Sequence, residues 1–384
     1  MAHLQPWKHS TAIIDSMKNK AELTEIVLQL CNCVLLKEEN PPLPEMSAKE
    51  CDDLFAFASS QGVLSVITQL FADLEMPPSE ARLMIASWYV SSLETAVRYQ
   101  QRIDTMHQLT GMFSEAGMDV MFLKGAAIAQ LYPVPGWREF SDIDYYLYGE
   151  SEKGIEVMKQ HGIDNSAYYH HHTQASLNDI LIENHYDFVE RVNHKCDIIL
   201  DNALKELAEK EGHSLRAEFL GDDVKNAYLM TPTMNAIFLM RHMSAHFVSE
   251  TIPLKMLYDW ALFLKKKGGE VDWCLVSALY DQSGMTTFAG IIQELLRKRL
   301  NVSFADCPVF PVKEDYVERV WESVIYPPEP DPHAKFTLRY YMFEAKTFFA
   351  NRWKHKLVYP GESYILLFFK YAWLGVKKML GILK

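Results

Sequence analysis

Apolar positions recur at helical spacing over residues 21–36 and 51–73, and the Asn40-Pro41-Pro42-Leu43-Pro44 segment between them cannot continue a helix. Pro77-Pro78-Ser79 opens a longer helical pattern from Glu80 to about Ala116, with Ser79 placed to cap it. At Gly117 the period changes. The apolar run that follows, bounded by Gly117 and Gly125 and too short for a helix, predicts a buried strand. A short helix over Ala126–Tyr132, a second strand over Ser141–Tyr148 and a helix over Glu152–His161 come next. Tyr168–Ser176 and Ile180–Phe188 read as two strands joined at Leu177-Asn178-Asp179, a hairpin turn signal.

From Thr231 the pattern returns to helix, over Met234–Glu250, Pro253–Lys267, Asp272–Gln282 and Met285–Leu300, with Gly268-Gly269 as a break. Past Asn301 lie a proline-rich link (Pro327, Pro328, Pro330, Pro332) and an aromatic, basic tail, and no internal repeat is visible. The expected fold is α+β: a small mixed sheet flanked by N-terminal and C-terminal helical regions. The expected division is an N-terminal helical region (1–116), an α/β core (117–204), a helical domain (205–300), and a linker with a C-terminal helical tail (301–384).

A chain of 384 residues, 49% hydrophobic and 23% charged, is long enough to bury a substantial core and has the composition of a globular protein. Its formal charge of -12 repels a phosphate backbone, so duplex nucleic acid is not an expected partner. A small substrate or a protein acceptor fits better. The six cysteines are too scattered for a disulfide framework or a zinc knuckle, and Cys31 and Cys33 fall in an apolar helical run as core thiols. The first residues lack the basic start and apolar core of a signal peptide, which makes the cytoplasm the expected compartment. No apolar run reaches the ~18 residues that span a bilayer. The nearest, Tyr364–Val376, is interrupted by Lys370 and reads as a terminal helix docked on the body, with a membrane-surface helix as the lesser alternative.

Candidate chemistry centres on Asp142 and Asp144. They lie two residues apart in a predicted strand, so alternation projects both carboxylates from one face. Two like charges so close repel unless a cation sits between them. Hard oxygen ligands favour Mg²⁺ (or Mn²⁺), usually held by one or two carboxylates plus the phosphates of a substrate. A third acid is then needed from a neighbouring strand. Glu183 is preferred, because alternation sets Glu183, His185 and Asp187 on one face, and it would serve as third metal ligand or as general base. Asp197 is the rival. Upstream, Lys124 can reach a triphosphate and Gly125 leaves backbone N–H groups free at the start of the next helix. Arg138 can fork onto phosphate or pair with the acids.

Phe122-Leu123-Lys124-Gly125-Ala126, followed by Arg138-Glu139-Phe140-Ser141-Asp142-Ile143-Asp144, resembles the active-site signature of the DNA-polymerase-beta-like nucleotidyltransferase superfamily. In detail it is similar to a poorly characterised bacterial branch of it, over about Ala81 to about Leu300. The resemblance implies a palm-like core, a nucleoside triphosphate as substrate with Mg²⁺ (or Mn²⁺), and transfer of NMP to a hydroxyl of a small-molecule or protein acceptor. It also implies that Lys124, Gly125, Ala126, Arg138 and Ser141 bind the nucleotide, and that a Glu-x-His pair, here Glu183 and His185, follows the hairpin. Two departures stand out: Ala126 replaces the usual Ser or Gly, and the spacing from Gly125 to Asp142 is longer than in compact members. Ala126 motivates the alternative of a catalytically weak nucleotide-binding or partner-binding protein of the same fold.

Histidines supply further candidates. In an extended strand His170 and His172 face one way and His171 the other, so the run predicts no three-ligand zinc site. His242 and His246 sit one helical turn apart, without the acid of an H-E-x-x-H motif. Similar proteins often carry histidines here and an Asp-Trp in the next helix, matched by Asp259-Trp260, with Lys255 where they commonly have arginine. His185, His242 and His246 are therefore candidates for a substrate cleft, with helix packing as the competing reading. The Arg339–Tyr359 stretch reads as a core-facing aromatic stripe with a solvated basic face, rather than as an RNA-stacking surface.

Overall fold

The computed structural model describes residues 8–36, 46–71, 80–165, 167–191, 194–327 and 337–379. The Asn40–Pro44 breaker, Ser79, and Pro328, Pro330 and Pro332 lie outside the described residues. The chain begins with helices α1 (Lys8–Leu36), α2 (Ala48–Ser60), α3 (Leu64–Thr68) and α4 (Glu80–Glu115). Ser47 and Glu50 close a capping box at the start of α2. The run expected as one helix over 51–73 is broken, because Gly62 adopts a positive φ of 67° between α2 and α3.

The central segment supplies β1 (Val120–Phe122), α5 (Ala126–Ala129), β2 (Asp142–Tyr146), α6 (Ser151–Gln160), β3 (Ala167–Tyr168), β4 (His172–Leu177) and β5 (Ile180–His185). Asn178 and Asp179, at φ 54° and 60°, make the tight turn between β4 and β5, as the hairpin signal predicts. After α7 (Lys195–Glu211) a sixth strand, β6 (Ala227–Leu229), joins the sheet. Three residues are too few to show alternation, and the sequence pattern gave no sign of it. The sheet order is β3-β4-β5-β2-β1-β6, with β2 parallel to β5, β1 parallel to β6 and the remaining pairs antiparallel. The fold is α+β with a six-stranded mixed sheet, as expected.

The rest is helical: α8 (Pro232–Ser249), α9 (Leu254–Lys267), α10 (Trp273–Ser283), α11 (Thr286–Arg299), α12 (Glu314–Ile325), α13 (Leu338–Ala350), α14 (Arg352–Val358) and α15 (Tyr364–Met379). Thr231 caps α8, Asp272 caps α10, and Gly284 ends α10 in the left-handed conformation. One sheet face carries Ile143, Tyr145 and Ile182, and it packs on Met106, Leu109 and Phe113 of α4 and Val157 and Met158 of α6. Tyr146, on the opposite face, belongs to the larger core built from α1–α3, α7–α12 and α14. That second face, looking toward α8, carries the polar side chains described next. The terminal helix α15 docks through Tyr364 and Leu367 and leaves Ile365, Leu366, Phe369 and Trp373 exposed. No helix among the described residues is long and apolar enough to cross a membrane. All six cysteines are free thiols.

Candidate active site

Register between the strands fixes the site. Asp144 on β2 lies opposite Glu183 on β5, which lies opposite Gln174 on β4, while Tyr146, His185 and His172 form the adjacent row. Residues directly opposite share a face. Asp144, Glu183 and His185 thus converge, with one ligand atom from each within 4.8 Å of the others. Asp142, at the start of β2, stands outside that trio and joins it through Lys124, whose ammonium lies 3.7 Å from Asp142 Oδ2 and 3.0 Å from Asp144 Oδ1. Asp187 was expected on the same face. It lies past the end of β5 and pairs with Lys205, because the strand stops at His185.

Two features show that this donor set suits a cation. Lys124 already supplies one between the two aspartates. The second is the hydrogen bonding of His185. Its Nδ1 meets the Asp187 carbonyl at 3.2 Å, and a carbonyl can only accept, so Nδ1 carries the proton. In the neutral ring Nε2 then points a lone pair at Asp144 Oδ1, 3.1 Å away, and at Glu183 Oε2, 3.7 Å away. Acceptor facing acceptors is unfavourable unless a second proton or a metal ion sits there. Burial opposes the imidazolium, but contact with Asp144 and Glu183 outweighs it and raises the His185 pKa. Burial also works against the Glu183 carboxylate, yet His185, His172 and Lys124 hold its pKa down to about 2. Asp144 is buried too, and Lys124 and His185 keep it ionised.

The histidine run departs from a regular strand. β4 begins at His172 and the chain bends just before it, so His171 and His172 both turn toward His185, with ring centroids at 5.2 and 5.3 Å. These three imidazoles form a second potential ligand group sharing His185. His170 points away toward Glu190. The expectation of opposed His171 and His172 side chains fails because alternation holds only inside the strand. Burial drives the His171 pKa down to about 2, which keeps that ring neutral.

Arg138 reaches neither the Asp142–Asp144 pair nor open space. Its guanidinium is buried and forks onto Asp259, with Nε 2.9 Å from Oδ1 and Nη2 2.7 Å from Oδ2, while Nη1 donates to the Gly125 carbonyl at 2.9 Å. The Tyr132 hydroxyl donates to Asp259 Oδ1 at 2.6 Å. The Asp-Trp segment of α9 therefore anchors the glycine turn rather than lining the cleft. Gly125 holds φ 55°, ψ −109°, a region closed to other residues, and a Cβ there would lie 2.9 Å from the Phe140 ring. The following α5 has four residues and Ala126 is buried in it, so the helix expected to run to Tyr132 contributes little dipole.

Beside Ser141 opens a cavity of about 310 Å³, lined by Arg98, Tyr99, Arg102, Phe140 and Lys255 among others. Arg102 donates to the Ser141 carbonyl at 3.3 Å and feels the charge of Asp142, so the cationic wall adjoins the acidic cluster. Lys255 donates to the Glu139 carbonyl at 3.0 Å. Burial and the Arg138 charge lower its pKa.

Residues 47–301, more than half of the chain, match the family model described as "Uncharacterised nucleotidyltransferase". The chain belongs to this family. No curated protein and no solved structure matches it. The family match begins earlier than the resemblance in the sequence, taking in α2 and α3, and it ends just past α11. It thus covers every acid, lysine and histidine of the cluster described above.

The remaining candidates separate cleanly. Asp197 sits on α7, fully buried, with both oxygens forked by Arg241 at 2.6 and 2.7 Å, whereas Glu183 shares a cluster with Asp144. His242 and His246 on α8 pack ring against ring at 4.5 Å. After burial, the Lys124 charge is the strongest influence lowering the pKa of both, with His185 also acting on His242 and Asp142 on His246. Arg98 and Arg102 were missed. Their only signal is the spacing of two arginines one turn apart on α4, which a solvated helix face shows equally.

Proposed function

We propose that this nucleotidyltransferase moves NMP from a nucleoside triphosphate to a hydroxyl of a small-molecule or protein acceptor, with a divalent cation at Asp142, Asp144, Glu183 and His185. The observation that carries the reading is the convergence of Asp144, Glu183 and His185, with His185 Nε2 turned toward two carboxylates. Mg²⁺ or Mn²⁺ bound there would neutralise charge spreading onto the phosphate oxygens in the transition state. The site supports placement in the DNA-polymerase-beta-like superfamily, because two strand aspartates and a third acid on the adjacent strand follow a glycine turn.

The residues of the chain divide the work. Asp144 and Glu183, held ionised, supply fixed negative charge. Glu183, held ionised by His185, His172 and Lys124, serves as a ligand. His185 is fixed by its Nδ1 hydrogen bond with Nε2 aimed inward. Lys124 balances the aspartates until a cation does so, and its ammonium then serves the triphosphate. Arg98, Arg102 and Lys255 offer positive charge next to Asp142, where the β- and γ-phosphates gain most from it. The acceptor oxygen attacks the α-phosphorus, the bond to the bridging oxygen breaks, pyrophosphate leaves, and the hydroxyl proton passes to water.

The test is incubation of the full chain with each NTP labelled at the α-phosphate, Mg²⁺ and a cell extract. Label should move to an extract component, and Asp144→Ala should abolish the transfer. Transfer of the same size by Asp144→Ala would refute the assignment.

A further inference from the structure

A second cluster lies apart from the acids, where the C-terminal helices meet the start of α7. His194 immediately precedes α7, His355 is on α14, and Glu362 follows α14. One ligand atom from each lies within 4.8 Å of the other two. His194 Nδ1 donates a hydrogen bond to Glu362 Oε2 at 2.5 Å, whose proton an ion held by both atoms would displace, and the His194 ring stacks on Tyr359 at 3.5 Å.

His355 is the anomaly. It is 1% exposed, and among the described residues neither of its ring nitrogens has a hydrogen-bond partner. A neutral imidazole carries one N–H and one lone pair, and burying both unpaired leaves their lost hydration uncompensated. A metal ion meeting the lone pair removes half of that deficit. Burial holds the pKa of both histidines down to about 4, so both are neutral at pH 7, as metal ligands must be. The nearby Arg241 cation is already compensated by its fork onto Asp197.

We propose that His194, His355 and Glu362 form a structural metal site for Zn²⁺ that fastens α14 and the segment after it to the base of α7. Two imidazole nitrogens and one carboxylate oxygen are the donors zinc takes, whereas Mg²⁺ prefers oxygen alone. The Glu362 side chain is 26% exposed, which gives the ion a path from solvent and leaves room for water as a further ligand. The site lies outside the family-matched residues on its His355 and Glu362 side, and it does not depend on the transferase reading.

The experiment uses the full chain stripped of metal by chelation, titrated with Zn²⁺ alone, desalted and assayed for bound zinc and melting temperature. To remove the catalytic cluster, Asp144→Asn, Glu183→Gln and His185→Gln are combined in one background. In that background one equivalent of zinc should remain bound and raise the melting temperature, and adding His355→Ala should abolish both effects. Glu362→Gln, at a partly exposed position, guards against a folding defect in the His355 variant: it should keep the metal-free melting temperature and weaken zinc binding. Zinc retained with His355→Ala, undiminished with Glu362→Gln, or absent from the background variant would overturn the site.

Discussion

Arg138 and Asp259 form a buried two-pronged ion pair that joins the loop before β2 to α9, and Arg138 also holds the Gly125 carbonyl. One side chain therefore couples the helical region to the turn that carries Lys124. Removing one partner of a buried pair leaves an uncompensated charge, at a cost of about 3–5 kcal/mol. Asp259→Ala should destabilise the protein by that order, and Arg138→Met in the same chain should recover part of the loss. A double-mutant cycle by urea unfolding measures the coupling, and additive losses would contradict the strut.

Gly125 is required twice, by backbone conformation and by the Phe140 ring. Gly125→Ala should cost about 1–3 kcal/mol from strain. Adding Phe140→Leu relieves only the clash, so it should restore part of the melting temperature and leave transferase activity depressed.

The cationic cavity predicts a kinetic signature. If Arg98 and Arg102 hold phosphates in ground and transition state alike, losing charge-assisted hydrogen bonds worth about 1.5–3 kcal/mol raises KM and spares kcat. Arg98→Gln with Arg102→Gln should raise the KM for NTP about 10-fold or more, by the same energies. An unchanged KM would remove the cavity from the nucleotide site.

Lys354 on α14 donates to the Glu250 carbonyl at 2.5 Å, and burial lowers its pKa to about 8. The unfolded chain, with a lysine pKa of about 10.4, holds this proton over a pH range in which the folded chain has released it. Stability should therefore climb as pH rises from about 8 to about 10 and stay flat in this respect below the folded pKa. Lys354→Met should lose that climb relative to the wild type, as read from urea midpoints across the range.

The acidic face was legible because strand alternation is a local rule: Asp142, Asp144, Glu183 and His185 follow from period two once the hairpin is placed at Asn178 and Asp179. What alternation could not show is where a strand begins, and His171 and His172 converge because β4 starts at His172 and not at Tyr168. The Arg138–Asp259 fork spans 121 positions, and its geometry exists only in the packed chain. Arg98 and Arg102 have the pattern of any solvated helix face, so only the cavity beside Ser141 distinguishes them. Asp197 rivalled Glu183 in the sequence, yet its segment is helical and its charge serves Arg241.

The most direct measurement is calorimetric titration of NTP into the chain with and without Mg²⁺, for the wild type, Asp144→Asn and Glu183→Gln, with folding checked by circular dichroism. Mg²⁺ is the right probe because the histidine-rich cluster at His355 does not favour it. Binding that needs Mg²⁺ in the wild type and disappears in both folded variants is the predicted result. Equal Mg²⁺-dependent binding by either folded variant would contradict a shared cation at Asp144 and Glu183.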